Sequence, residues 1–253
     1  SRQKKLDSAA AVAAIVCAFW LYQSALVRPT PAQPADTGSE EISVLLWNKS
    51  SGEIGLEHVI SLIESYDADV VALVEARQHT TWTQRWWGLS FPQYQLCAFD
   101  HGLVLLTKHP VTDIAGGKLD ELGKYGLARI QAPRHDYCLI LVDIGHYVHS
   151  SRGPALAALH DLVTETTDRN LVVLGDFNTP PDSVHFSGLR EDLVNAFEVA
   201  GSGYGATWPI PLPVLQLDQI WLRPPLVPAE CTLGWTWVSD HRPVIARMKI
   251  NDE

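Results

Sequence analysis

The stretch LVVLGDFNTPP, residues 171–181, sets five apolar or small residues directly ahead of Asp176, then adds Asn178 and two prolines. A short apolar run closed by Asn and Pro reads as a buried strand that ends in a turn. Such a strand delivers a carboxylate at its tip and a carboxamide two residues further on. The same arrangement recurs along the chain. Asn48 follows VLLW, Glu75 follows VVALV, His146 follows LILVDIG, Asp218 follows LQL, and the pair Asp240-His241 follows WTWVS. Six strand exits that each present Asn, Asp, Glu or His are more than ordinary loops supply, because loops favour Gly, Ser and Lys. If two sheets align these exits at one rim, they form a pocket of hard oxygen ligands with imidazoles beside it.

The rest of the chain is consistent with that layout. EIGLEHVISLIESY and GPALAALHDLVTET repeat their apolar residues at helical spacing, and YQLCAF, GLVLLTK and GLARIQA are strand-like. TTWTQRWWGL reads as a short helix whose Trp82 and Trp86, four apart, are core packing. Many apolar strands with a few helices between them predict an α/β (α+β) domain in which two sheets pack together and helices lie outside.

At 253 residues and 46% hydrophobic content the chain has ample material for a core. From Glu40 onward it carries 15 Lys and Arg against 27 Asp and Glu, which excludes a broad electrostatic grip on nucleic acid but allows a local basic patch. Lys49, Arg77, Arg129, Arg152 and Arg242 are the candidates for one. The four cysteines have no CxxC spacing, so neither zinc nor redox chemistry is indicated. Cys97 and Cys138 could pair in an exported domain, although buried free thiols are the preferred reading.

Ser8 to Val27 has about the ~20-residue length needed to cross a bilayer, with Gln23 its one strongly polar member. Arg2, Lys4 and Lys5 precede it, which predicts an N-terminal transmembrane anchor over 1–28 with the following domain outside the cell membrane, periplasmic or extracellular. The chain opens at Ser1 without an initiator methionine, so further spans upstream are allowed. Residues 29–39 have linker composition, and the domain is expected over 40–253.

Carboxylate and amide oxygens without cysteine suit Mg²⁺ or Mn²⁺, ions that complete their shells with water and substrate phosphate. LLWN, VVALVEA, LVVLGDFN, YGATWPIPLP, LQLDQIWL and VSDHRPV, in that order and spacing, resemble the endonuclease/exonuclease/phosphatase superfamily across Ser43 to Ile250. The resemblance is greatest to its membrane-tethered bacterial members. It implies a four-layer αββα sandwich of two mixed β-sheets with helices outside, acting as a metal-dependent phosphoester hydrolase on a lipid head group, a small phosphodiester or a nucleic acid. By the same resemblance Glu75 is the principal metal ligand, with Asn48 beside it and Asp240 close by. His241 handles a proton and is oriented by Asp218. Asp176 holds or activates water, and Asn178 and His146 donate to phosphate oxygens.

Bland readings exist for each residue. Asn48 could cap a turn, Glu75 could be a loop acid, and Arg152 either contacts phosphate or forms a surface salt bridge. His149, three residues past His146, leaves the histidine register open. Asp143 and Gln219 depart from the superfamily pattern, and Trp208 reads as packing. His101 and His109 read as loop residues. The rival to an enzyme is a phosphate-ligand-binding module of the same fold that has lost its chemistry, and the retention of every core position weighs against it.

Overall fold

The computed structural model describes residues 2–21, 41–50, 56–76, 81–147 and 149–251. A first helix α1 (Arg2–Leu21) precedes β1 (Ile42–Asn48), α2 (Leu56–Tyr66), β2 (Val70–Val74) and α3 (Thr81–Ser90). Five strands follow: β3 (Gln95–Ala98), β4 (Val104–Thr107), β5 (Val111–Leu119), β6 (Gly123–Gln131) and β7 (Asp136–Ile144). Then come α4 (Gly153–Glu165), β8 (Leu171–Asp176), α5 (Leu189–Asp192), β9 (Val194–Asn195) and α6 (Ala196–Ala200). The last three elements are β10 (Asp218–Leu222), β11 (Leu226–Leu233) and β12 (Val244–Ile250).

The strands form two six-stranded sheets, ordered β11-β12-β1-β2-β4-β3 and β5-β6-β7-β8-β10-β9. Each contains one parallel pair, β1 with β2 and β7 with β8, and is otherwise antiparallel. The period-two alternation of each strand splits its side chains between two cores. In β1, Val44 and Leu46 enter the core between the sheets, while Leu45 and Trp47 pack toward Val59 and Ile63 of α2 and Trp87 of α3. In β8, Val172 and Leu174 face the other sheet, while Leu171 and Val173 pack against Leu156, Leu159 and Val163 of α4. Both faces of these strands are covered, so they read as continuous apolar runs. The result is the expected four-layer αββα sandwich.

One expectation fails. Among the described residues no helix is long and apolar enough to cross a membrane. The helix α1, described over Arg2–Leu21, carries Arg2, Lys4, Lys5 and Asp7 in its first turns. The predicted anchor, and with it the cell-membrane location, is therefore overturned. Residues 22–27 of the predicted span and the linker at 29–39 lie outside the described residues. The preferred reading of Cys97 and Cys138 holds. Both thiols are free and buried, Cys97 in the core between the sheets and Cys138 in the core under α4.

Candidate active site

Strand register assembles the site. Asp218 at the start of β10 lies opposite Asp176 at the end of β8, and Asp143 of β7 lies opposite Asp176 on its other side. Directly opposed residues share a face, here the one turned toward the first sheet. That sheet contributes Asn48, the last residue of β1, and Glu75, one residue past β2. Glu75 and Asn178 both have left-handed backbones, with φ of 54° and 45°. For residues with a Cβ this conformation costs on the order of 1 kcal/mol and recurs where a side chain must be aimed.

The polar groups interlock. The Asn48 amide donates from Nδ2 to Glu75 Oε1 at 3.2 Å and to Asp176 Oδ2 at 3.0 Å. Its Oδ1 accepts from the Ser50 backbone N–H at 2.9 Å, which fixes the amide orientation. His241 Nδ1 bonds Asp218 Oδ2 at 2.8 Å, and its Nε2 points toward Asp176 Oδ2 at 3.9 Å. The Asn178 backbone N–H donates to Asp176 Oδ1 at 2.9 Å. One N–H of the Asn178 side chain is engaged by the Ile144 carbonyl at 2.8 Å.

Crowded carboxylates perturb one another. Asp176 is pushed up to about 7, first by burial and then by the charge of Asp218. Burial works against a charged His241, yet Asp218, Asp176 and Asp240 carry its imidazole up to about 9. Burial also raises Asp143, against the pull of Lys124, whose Nζ lies 2.8 Å away.

Asn48, Glu75, Asp176, Asn178, Asp218 and His241 are thus linked, and three predicted residues are not part of that network. Asp240 is exposed and accepts from the Trp208 indole N–H at 3.0 Å. His146 is exposed, stacks on Tyr147, and lines a cavity with Glu75 and Asp143. Arg152 precedes α4 and reaches the Ser150 carbonyl at 3.4 Å. The candidates for a basic patch do not converge among the described residues, and Arg77 lies outside them. Arg129 pairs with Asp168 and Asp113 at the far end of β6, and Arg242 is buried on the carbonyls of Leu233, Gly234 and Ala206. Lys49 is itself buried next to Asn48.

Three supporting residues escaped the sequence reading. The Thr207 hydroxyl accepts the backbone N–H groups of Leu217 and Asp218, at 3.0 and 3.2 Å, and so sets where Asp218 starts. Ser239 donates to the Asn48 carbonyl at 2.7 Å and accepts from the His241 N–H at 3.0 Å, joining the last loop to β1. Both lie within quoted motifs, in TW and SDHRP, where they could have been found. Lys124 had no such signal, because only strand register sets it against Asp143.

The residues fit a divalent cation. Asp176, Asp218 and His241 each offer a ligand atom, and these lie within 4.8 Å of one another. Asp218 Oδ1 is buried without a hydrogen-bond partner among the described residues, a costly state unless something electropositive meets it. Glu75 adds a further carboxylate at the edge of this cluster.

Comparison with known proteins agrees with the architecture. The Endonuclease/Exonuclease/phosphatase family matches the chain over residues 47–241. No curated protein matches it in sequence. Among solved structures, D. rerio TDP2 complexed with single-strand DNA product is similar at 14% identity and a TM-score of 0.70, covering 83% of this chain and 100% of that one. A family protein from Bacteroides thetaiotaomicron is similar at 12% identity and 0.70, covering 83% and 98%. The human Nocturnin catalytic domain with bound sulfate is similar at 18% identity and 0.66, covering 84% and 96%. At these identities the likeness speaks for the fold alone.

Proposed function

The chain belongs to the endonuclease/exonuclease/phosphatase family, and from that premise we propose that its domain, residues 40–253, is a Mg²⁺- or Mn²⁺-dependent phosphoester hydrolase. The observation that carries this reading is the buried Asp218–His241 pair at 2.8 Å, with the free imidazole nitrogen aimed at Asp176. Glu75 and Asp176, the two carboxylates that the Asn48 amide bridges, would hold the ion, which when bound would neutralise charge on the phosphate oxygens.

The remaining chemistry belongs to the side chains. Asp218 accepts from Nδ1, so it fixes the tautomer and leaves Nε2 to exchange a proton. Asp176 orients the attacking water beside that nitrogen. In the metal-free protein the surrounding carboxylates hold His241 protonated. Neutralising Asp176 removes one of those charges and moves the imidazole back toward the range where it accepts a proton. Asn178 and His146 supply donors to the phosphate oxygens, the kind of contact whose loss typically costs ~3 kcal/mol in the transition state. Asp240 acts from the rim as a field on His241.

The TDP2 complex with single-strand DNA supports counting nucleic acid among the substrate classes. The test is hydrolysis of bis(4-nitrophenyl) phosphate and of a single-stranded oligonucleotide by the full chain with Mg²⁺ or Mn²⁺. Turnover that Glu75→Ala abolishes is the expected result. Tight ion binding by calorimetry with no turnover of any ester would instead identify a binding module.

A further inference from the structure

The cleft continues past the site. A cavity of about 560 Å³ is lined by Glu75, Asp143, His146, Lys124, Lys118 and His101. A second, of about 390 Å³, is lined by His101, Lys118, Phe99, Ile114, Gly117 and Tyr125. The two share His101 and Lys118, so these residues stand at the neck between them.

Strand register explains the layout. Lys118 of β5 lies opposite Lys124 of β6, Lys124 opposite Asp143, Asp143 opposite Asp176, and Asp176 opposite Asp218. One residue from each of five adjacent strands therefore forms a row on one face, running from two cations to three carboxylates. With neighbouring strands ~4.8 Å apart, the Lys118 backbone stands three strands, roughly 14 Å, from that of Asp176.

Two like charges directly opposed destabilise an antiparallel pair. Lys124 is neutralised by Asp143 at 2.8 Å. Lys118 is exposed and has no ion-pair or hydrogen-bond partner among the described residues, so it leaves an uncompensated positive charge at the neck. His101, between β3 and β4, comes from the first sheet and has a left-handed backbone with φ of 63°. Beyond the neck the strands are bare. A Cβ on Gly126 would overlap the Phe99 ring, so that ring lies directly on glycine backbone and walls the second cavity. The Tyr125 ring lies over Gly117 on the opposite face of the sheet, toward α4.

We propose that Lys118, with His101, forms a second anion subsite next to the aromatic cavity. The substrate is then a phosphoester carrying, on the order of 10 Å from the scissile phosphate, a second anionic group and a flat ring that packs against Phe99. This rests on the phosphohydrolase reading above. A single strand of nucleic acid and a small dinucleoside polyphosphate share this chemistry.

The test compares the full chain with its Lys118→Glu and Lys118→Arg variants on three probes: bis(4-nitrophenyl) phosphate, oligothymidylates of two to six nucleotides, and a dinucleoside polyphosphate. Lys118→Glu is expected to lower kcat/KM for the multiply charged probes at least tenfold, through KM, and to leave the aryl diester within twofold. Lys118→Arg is expected to retain activity. Because Lys118 faces another lysine, its loss does not threaten folding. A gain that grows with oligothymidylate length identifies a polynucleotide, and one already complete with the dinucleoside polyphosphate identifies the small ester. Equal effects on all probes, or none, overturn the subsite. If no probe is hydrolysed, anisotropy of a labelled hexathymidylate decides. Weaker binding by Lys118→Glu keeps the subsite while the hydrolase reading falls, and unchanged binding overturns the subsite.

Discussion

Asp176→Asn is expected to make the metal-free protein more stable and to leave it inactive. The Asp176 carboxylate is 1% exposed and sits beside Asp218, which together with burial raises its pKa from 3.8 to about 7. A folded-state pKa above the unfolded one contributes stability that is complete below pH 3.8 and gone once the pH has risen through 7. Three pH units correspond to about 4 kcal/mol held against the fold at pH 8. Asparagine has the same shape and can still accept from the Asn178 N–H. It loses the Asn48 contact, about 2 kcal/mol for a hydrogen bond to a charged group. The net gain of about 2 kcal/mol should raise Tm by roughly 4–8 °C for a domain of this size. Thermal unfolding in EDTA at pH 8 and pH 4 measures it: the variant should lead at pH 8, and the gap should close at pH 4. If Asp176→Asn melts below the parent protein at pH 8, the crowding of charges inferred for this cluster is wrong.

Asp218→Asn should lower the His241 pKa from about 9 toward its ordinary value and reduce kcat/KM about 10²-fold, as followed by NMR titration of the ring and by a pH–rate profile. Glu75→Gln should abolish the rise in Tm on adding Mg²⁺ or Mn²⁺ without lowering the Tm of the metal-free protein, and calorimetric ion titration gives an independent reading. Thr207→Val strands two buried backbone N–H groups, so it should cost about 1–3 kcal/mol in urea unfolding and slow turnover by displacing Asp218. A Thr207→Val variant with parent-like stability would mean that other acceptors reach those groups.

Much of the site was legible because its residues sit at the ends of apolar strands. Asn48, Glu75, Asp176, Asp218 and His241 were each marked by the change from an apolar run to a polar residue. Asp240 and Arg152 show the limit of that signal, since a motif gives adjacency along the chain and not the direction of a side chain. Asp240 turns to the Trp208 indole, while its neighbour His241 turns inward. The predicted anchor failed for a similar reason. The apolar composition of Ser8 to Val27 is real, but charged residues occupy the first turns of the helix described there, and among the described residues no helix is long and apolar enough to cross a membrane.

The sequence alone determined the strand alternation, the two-sheet class and the identity of the polar residues at the strand tips, because burial periodicity and turn chemistry are local. Tertiary structure decided which tips meet, and it set the row from Lys118 to Asp218 across five strands. Register between strands distant in sequence comes from fitting two cores at once. No local stretch carries that information, and it alone sets Lys124 against Asp143 and leaves Lys118 without a counter-ion among the described residues at the neck of the cleft.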